Sequence, residues 1–147
     1  MFKLGSLDFS CGRSLFRDAL TEAPEPTAKI FVKINLEGRH ASDGLYAQLD
    51  TGAAWSVLDP VVADGLGLLD LDGPRIRLDT RYGRLEGTLE RLLVTFLADD
   101  GIALDKYGTF FISPDWPPGR TFLGYSGLLD GMRFAVDPQV NHFYFGP

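Results

Sequence analysis

A single cysteine, two histidines and no long apolar run set the first limits on this chain of 147 residues. Cys11 has no second cysteine to pair with, so an intrachain disulfide is excluded. Cys11, His40 and His142 are too few to build a thiolate or imidazole centre, and neither a metal nor any other cofactor is expected. No segment approaches the roughly 20 apolar residues that a membrane-spanning helix needs. The opening stretch, Met1 to Asp8, is interrupted by charges and lacks the continuous apolar region of a signal peptide. The expected compartment is cytoplasmic, with an excised soluble domain of a longer, anchored protein as the alternative. A basic cluster is missing too. With a net charge of −6 the chain would repel a phosphate backbone, so nucleic acid is not an expected partner.

What is present suits one domain with a packed core: 45% hydrophobic and 12% aromatic residues in a chain too short for two full-sized domains. The 17 glycines and 9 prolines fit many short strands joined by tight turns. Residues 1–28 are poorly patterned and end in Pro24-Glu25-Pro26, which continues neither a helix nor a central strand. They read as an N-terminal arm or leader, with Phe9, Leu15, Phe16 and Leu20 packing on the body or on a partner subunit. The domain proper is 29–147.

From Ile30 the pattern changes. Ile30, Val32, Ile34 and Leu36 alternate with Phe31, Lys33 and Asn35, the period of a half-buried strand. A polar turn from Gly38 to Gly44 follows. Leu45, Ala47 and Leu49 then alternate with Tyr46 and Gln48 and run into Asp50-Thr51-Gly52. Asp59-Pro60 opens a short helix as cap and first residue, with Gly65 as its stop. Ile76 to Thr80 and a long strand from Leu85 to Leu97 form a hairpin about Tyr82-Gly83. Its outward charges place it in water. Further strands are expected at Tyr107–Ile112, Met132–Val136 and Phe143–Phe145, with a short helical stretch at Tyr125–Gly131. The loop Pro114 to Gly119 lies between, and Trp116 in it, like Trp55, reads as a packing residue rather than a subsite wall. The fold class is all-β.

An Asp-Thr-Gly triplet alone carries little, since roughly 3 chains in a hundred of this size contain one by chance. Here it ends an apolar strand, and Phe122-Leu123-Gly124 follows the projecting hairpin. An acid turn, a hairpin and an apolar-apolar-glycine turn, in that order, resemble the layout of the retropepsin-like aspartic proteases, viral and bacterial, over residues 29–146. Leu49-Asp50-Thr51-Gly52-Ala53 is similar to their active-site motif, and Phe122-Leu123-Gly124 to their supporting turn. Gly83-Arg84-Leu85-Glu86-Gly87 looks like the descending limb of their flap. The resemblance implies a closed or nearly closed antiparallel barrel with one or two short helices. It also implies an endopeptidase acting on peptide or protein substrates.

In that reading Asp50 is the catalytic carboxylate, Thr51 braces the loop, and Gly52 lets the main chain pass close to the acid. Tyr82, Gly83 and Arg84 close over the peptide. Two carboxyls a few ångströms apart cannot both ionise, so the pair holds one proton and can act as base and acid together. The motif occurs once, which makes the expected enzyme a homodimer with one Asp50 from each copy. Asp79-Thr80-Arg81 has arginine where glycine is needed and reads as coincidence. Ala53 replaces a serine that would favour the charged carboxylate in some relatives, so an activity optimum nearer neutral pH is expected. Viral members also carry an acid and an arginine where this chain has Ala54 and Tyr125, which removes one prop of their dimer. Two other functions keep the same fold: a binding or dimerisation module without turnover, and a monomer holding a small ligand in the barrel mouth. Gly124-Tyr125-Ser126-Gly127-Leu128 lacks the second glycine of a nucleophile elbow, and Gly65-Leu66-Gly67 lacks the setting of a dinucleotide site.

Overall fold

Small residues facing large ones shape the start of the chain. In the computed structural model, which describes residues 1–19, 29–39, 44–70 and 72–147, a β1–β2 pair (Lys3–Leu4, Leu7–Asp8) precedes β3 (Gly12–Leu15). Leu20, Pro24-Glu25-Pro26 and His40 lie outside the described residues. β3 turns Gly12 and Ser14 inward. A Cβ at Gly12 would stand 2.4 Å from the Phe145 ring, so only glycine lets that aromatic fill the space. Phe16, just beyond, joins the core, whereas Leu15 stays exposed. The stretch read as an arm thus supplies a strand to the body.

The alternating segments form strands as expected: β4 (Phe31–Leu36), β5 (Leu45–Leu49) and, after the acid turn, β6 (Ser56–Val57). Helix α1 (Pro60–Gly65) begins where Asp59 accepts the Val61 N–H at 2.9 Å. β7 (Ile76–Thr80) and β8 (Gly83–Phe96) make the hairpin, and β9 (Asp100–Gly101) leads into β10 (Leu104–Ile112). β11 (Phe122–Leu123), a 3-10 turn at Leu129–Gly131, β12 (Arg133–Asp137) and β13 (His142–Gly146) complete the order.

Hydrogen bonding runs β10-β6-β11-β5-β4-β8 and returns from β8 to β10, so the large sheet is ring-like, with β7 attached outside on β8. A smaller sheet, β12-β13-β3-β9, packs its aromatics into the same core. There Phe143 and Phe145 sit 6.0 and 5.9 Å from Phe96. Val32, Ile34 and Leu36 are fully buried on the face that the alternation assigned to the core. The expected helical stretch at Tyr125–Gly131 shrinks to its last three residues. Gly127 turns to φ 79°, which a continuous right-handed helix does not admit, and the Tyr125 and Ser126 N–H groups donate to the Ala53 and Ala54 carbonyls. Among the described residues no helix is long and apolar enough to cross a membrane.

Candidate active site

β5 delivers Asp50 to the end of a strand that is hydrogen-bonded on both edges. Antiparallel β4 lies on one side and parallel β11 on the other, with Leu123 opposite Leu49. The Asp50 N–H donates to the Leu123 carbonyl at 3.0 Å, extending the β5–β11 ladder into the acid turn. Beyond the turn, β6 comes back along the other edge of β11, Val57 opposite Phe122. The supporting strand is therefore inserted between the two strands that the acid loop connects.

Gly124 is what permits this insertion. A Cβ there would lie 2.4 Å from both the carbonyl carbon and the oxygen of Trp55, a collision with backbone that no rotamer relieves. The Gly124 N–H is satisfied in the buried interior by the Ser56 hydroxyl at 2.9 Å. Tyr125 and Ser126 then donate to the carbonyls of Ala53 and Ala54, both at 2.8 Å. Arg91 on β8 holds the far side of this turn, donating to the Gly127 carbonyl at 3.2 Å and to the Thr109 hydroxyl at 2.9 Å. Gly52 differs from its expected role. A Cβ at Gly52 would stand 3.4 Å from Asp50 Oδ1, at the edge of ordinary contact, so close passage by the acid does not require glycine within this chain.

The Asp50 carboxylate is half-buried and accepts the Gly52 N–H at 3.1 Å through Oδ1. A turn-forming aspartate makes the same bond. What distinguishes Asp50 is the space above it: a cavity of about 530 Å³ whose lining includes Asp50, Gly52, Ala53 and Trp55 on one side and Leu78, Asp79, Thr80 and Arg81 of the hairpin on the other. That volume is ordinary for a ligand site. Val57, Trp116 and Phe122 add apolar walls.

The hairpin pairs Thr80 with Gly83, leaving Arg81-Tyr82 as its tip. Gly83 adopts φ 99°, and the Thr80 hydroxyl bridges the tip, donating to the Gly83 carbonyl at 2.8 Å and accepting the Tyr82 N–H at 3.1 Å. Arg77–Glu86 and Arg84–Asp79 ion pairs at 2.9 and 2.8 Å lace the two arms. The Tyr82 ring meets Trp116 edge-on at 5.2 Å, and Trp116 meets Phe122 edge-on at 5.8 Å. Three aromatic rings thus connect the hairpin tip to the supporting strand.

The structure brings Asp50, Gly52, Ala53 and the Phe122-Leu123-Gly124 turn together. Thr51 sits on the same loop but is exposed. Of the expected covering residues, Tyr82 contacts Trp116, whereas Gly83 and Arg84 do not line the cavity, and Arg84 is committed to Asp79. The ascending arm, Leu78 to Arg81, roofs the space instead. Trp55 and Trp116, read from sequence as packing residues, both line it. A signal for Trp116 existed: an aromatic set among three prolines in a polar loop is held rigid at low entropic cost. Among the described residues no three His, Cys, Asp or Glu side chains gather to hold a metal. Compared with protein-family models and with curated proteins, the chain matches none.

Proposed function

We propose that this chain is an aspartic endopeptidase of the retropepsin-like kind, acting as a C2 homodimer in which the two Asp50 carboxyls share the catalytic water. The carrying observation is Asp50 at the end of β5, facing a cavity that a projecting hairpin roofs. A peptide crossing that space in extended form can add main-chain hydrogen bonds to the hairpin while its side chains enter the apolar walls. One carboxyl of the pair, unprotonated, takes a proton from water. The other, protonated, gives its proton to the peptide carbonyl oxygen, and the pair returns to its starting state when the amine leaves.

The second carboxyl has to come from a second copy. Asp79 is the only other acid lining the cavity among the described residues, and its carboxylate is ion-paired with Arg84 at 2.8 Å. Asp79 is thus engaged within its own hairpin. Thr51, Gly52, Ala54 and Tyr125 form an exposed rim beside Asp50, which supports a twin-related partner at this face.

The test is digestion of a mixed peptide library across roughly pH 4–8, the range over which a shared-proton carboxyl pair works. Cuts should disappear in Asp50→Asn and with a statine-type inhibitor. The variant should melt as the wild type does, because asparagine retains the Oδ1 that accepts from Gly52. Light scattering should give twice the chain mass. Absence of cuts in a folded dimer would leave the fold as a binding module, and cuts that survive Asp50→Asn would sink the catalytic assignment.

A further inference from the structure

The smaller sheet ends in an open edge. Its order is β12-β13-β3-β9, so β12 has β13 on one side and no strand on the other among the described residues. The direction of each amide along β12 follows from the bonds that β13 makes. Phe16 donates its N–H to the Asn141 carbonyl and Cys11 donates to the Phe145 carbonyl, both at 2.9 Å. Residues 141, 143 and 145 therefore turn their main-chain groups toward β3. His142, Tyr144 and Gly146 turn theirs toward β12, where they meet Asp137, Ala135 and Arg133. The N–H and C=O groups of Phe134 and Val136 are left pointing away from the sheet, with no strand beside them among the described residues. Proline and bulges are the usual means of blunting such an edge, and β12 has neither. The Phe134 and Val136 side chains pack on the core, which places Arg133, Ala135 and Asp137 on the opposite face.

We propose that two copies of this chain join edge to edge through β12, antiparallel about a two-fold axis at Ala135. This rests on the homodimer reading of Asp50 and names the strand that holds the copies together. In that register Phe134 of one copy lies opposite Val136 of the other, and their outward amides exchange hydrogen bonds on both sides of the axis. Arg133 lies opposite Asp137 of the second copy at each end. The edge is thus complementary to itself, as an isologous contact requires, and opposite charges facing across strands favour it. Moving the axis to Phe134 or Val136 loses that charge pairing. Arg133 spends one guanidinium nitrogen on the Pro147 carbonyl at 2.8 Å, and Asp137 spends one oxygen on the Gln139 N–H at 3.0 Å. Each group keeps further atoms for a partner. The other open edge, on β7, is unsuited. It lines the cavity over Asp50, and its Arg77 and Asp79 are paired with Glu86 and Arg84. The chain also ties β12 to the site: the turn whose Tyr125 and Ser126 N–H groups bond the acid loop runs through one 3-10 turn into β12.

A charge swap read by sedimentation tests the edge without turnover. Wild type should sediment as a dimer. Arg133→Glu sets an acid against Asp137 of the second copy at both ends, and Asp137→Arg sets arginine against arginine. Each variant alone should keep the wild-type circular dichroism and dimerise about tenfold more weakly. An equimolar mixture of the two restores opposite charges at both ends and should recover the wild-type affinity. Ala135→Cys in a Cys11→Ser background gives a second readout. The axis sets that position against its own copy, so mild oxidation should link the chains through a disulfide. A monomeric wild type, variants that dimerise as tightly as wild type, a mixture no tighter than its parts, or Ala135→Cys chains that stay unlinked each overturn the edge. Peptide cleavage by a wild-type dimer alongside such a result keeps the endopeptidase and moves its contact elsewhere. Recovery in the mixture from a protein that never cuts keeps the β12 pairing and removes the endopeptidase.

Discussion

The two halves of β8 live in different environments although they are one continuous strand. From Thr88 to Phe96 it pairs with β10, and its last residues pair with β4 as well, with Leu92, Val94 and Phe96 buried. From Gly83 to Gly87 its partner is β7 alone, and the side chains that cross the arms are exposed ion pairs. The change falls at Gly87, which is buried, and a Cβ there would stand 2.2 Å from the Ile112 carbonyl oxygen. One half is held by full apolar burial, the other by surface ion pairs, the Tyr82–Trp116 contact and the partial packing of Ile76, Leu78 and Leu85 on Val57, Phe111, Trp116 and Phe122. Apolar burial contributes far more per residue than exposed ion pairs do. The half that shapes the acid loop is therefore the more firmly held one, and the hairpin over the site is held by less burial. The proposed endopeptidase needs such a division, because a peptide has to enter the site before it is enclosed.

The largest expected effect lies on the more firmly held side. Gly124→Ala forces the supporting turn away from Trp55 and breaks the ladder beneath Asp50. It should cost about 3 kcal/mol or more by overpacking against backbone, with loss of both thermal stability and peptide cleavage. Gly87→Ala meets backbone too, but at the root of the hairpin. We expect a smaller loss of stability, about 2 kcal/mol, with cleavage falling further than stability because the roof is displaced. Thermal melts beside cleavage rates separate the two outcomes. Equal damage from both variants would erase the distinction between the halves.

Most of the ring-like sheet was legible in the residues, because Val32, Ile34 and Leu36 alternate with period two and Asp59-Pro60 marks a helix start. The parts that escaped share a cause. β3 carries glycine and serine where a strand usually carries bulk, since the Phe143 and Phe145 side of the sheet fills the space, and no periodicity reveals that. Ser56 looks like any serine, yet its hydroxyl satisfies the Gly124 N–H from 68 positions away in sequence. The helix expected at Tyr125–Gly131 is shorter in the structure because Gly127 takes a positive φ, a choice that local propensity does not register. At the site, Asp50 and Gly124 announce themselves by motif. The roof does not, because which arm of a hairpin faces a cavity depends on twist and on where Gly87 lets the strand depart.

On the hairpin side, Tyr82→Ala removes the edge-on contact with Trp116. An aromatic pair of this geometry contributes about 0.5–1.5 kcal/mol, and the half-exposed Tyr82 belongs at the lower end. The melting temperature should barely move while KM for peptides rises, because the tip loses its resting contact rather than its fold. A large fall in melting temperature would place the hairpin with the core and not apart from it.

The smallest effect concerns the contrast between ion pairs. Lys33 on β4 meets Asp99 at 2.5 Å, with both side chains less exposed than those of the hairpin pairs. Burial pushes the Asp99 carboxyl up, but bonds from Lys33 and from the Leu15 N–H, with the charges of Lys33 and Arg13, outweigh it and hold the group below the usual carboxylate value. A carboxyl whose pKa is depressed on folding stabilises above its unfolded pKa, about 3.8 here, and loses that contribution as pH falls through the folded value. Because Asp99 is still more than a third exposed, solvent screening keeps the contribution below about 1 kcal/mol. Asp99→Asn should therefore lower the melting temperature slightly at neutral pH and converge on wild type in acid. Asp79→Asn, on an exposed hairpin pair, should leave the melting temperature at neutral pH unchanged. An equal fall in melting temperature for the two variants at neutral pH would mean that β4 and the hairpin hold their charges alike.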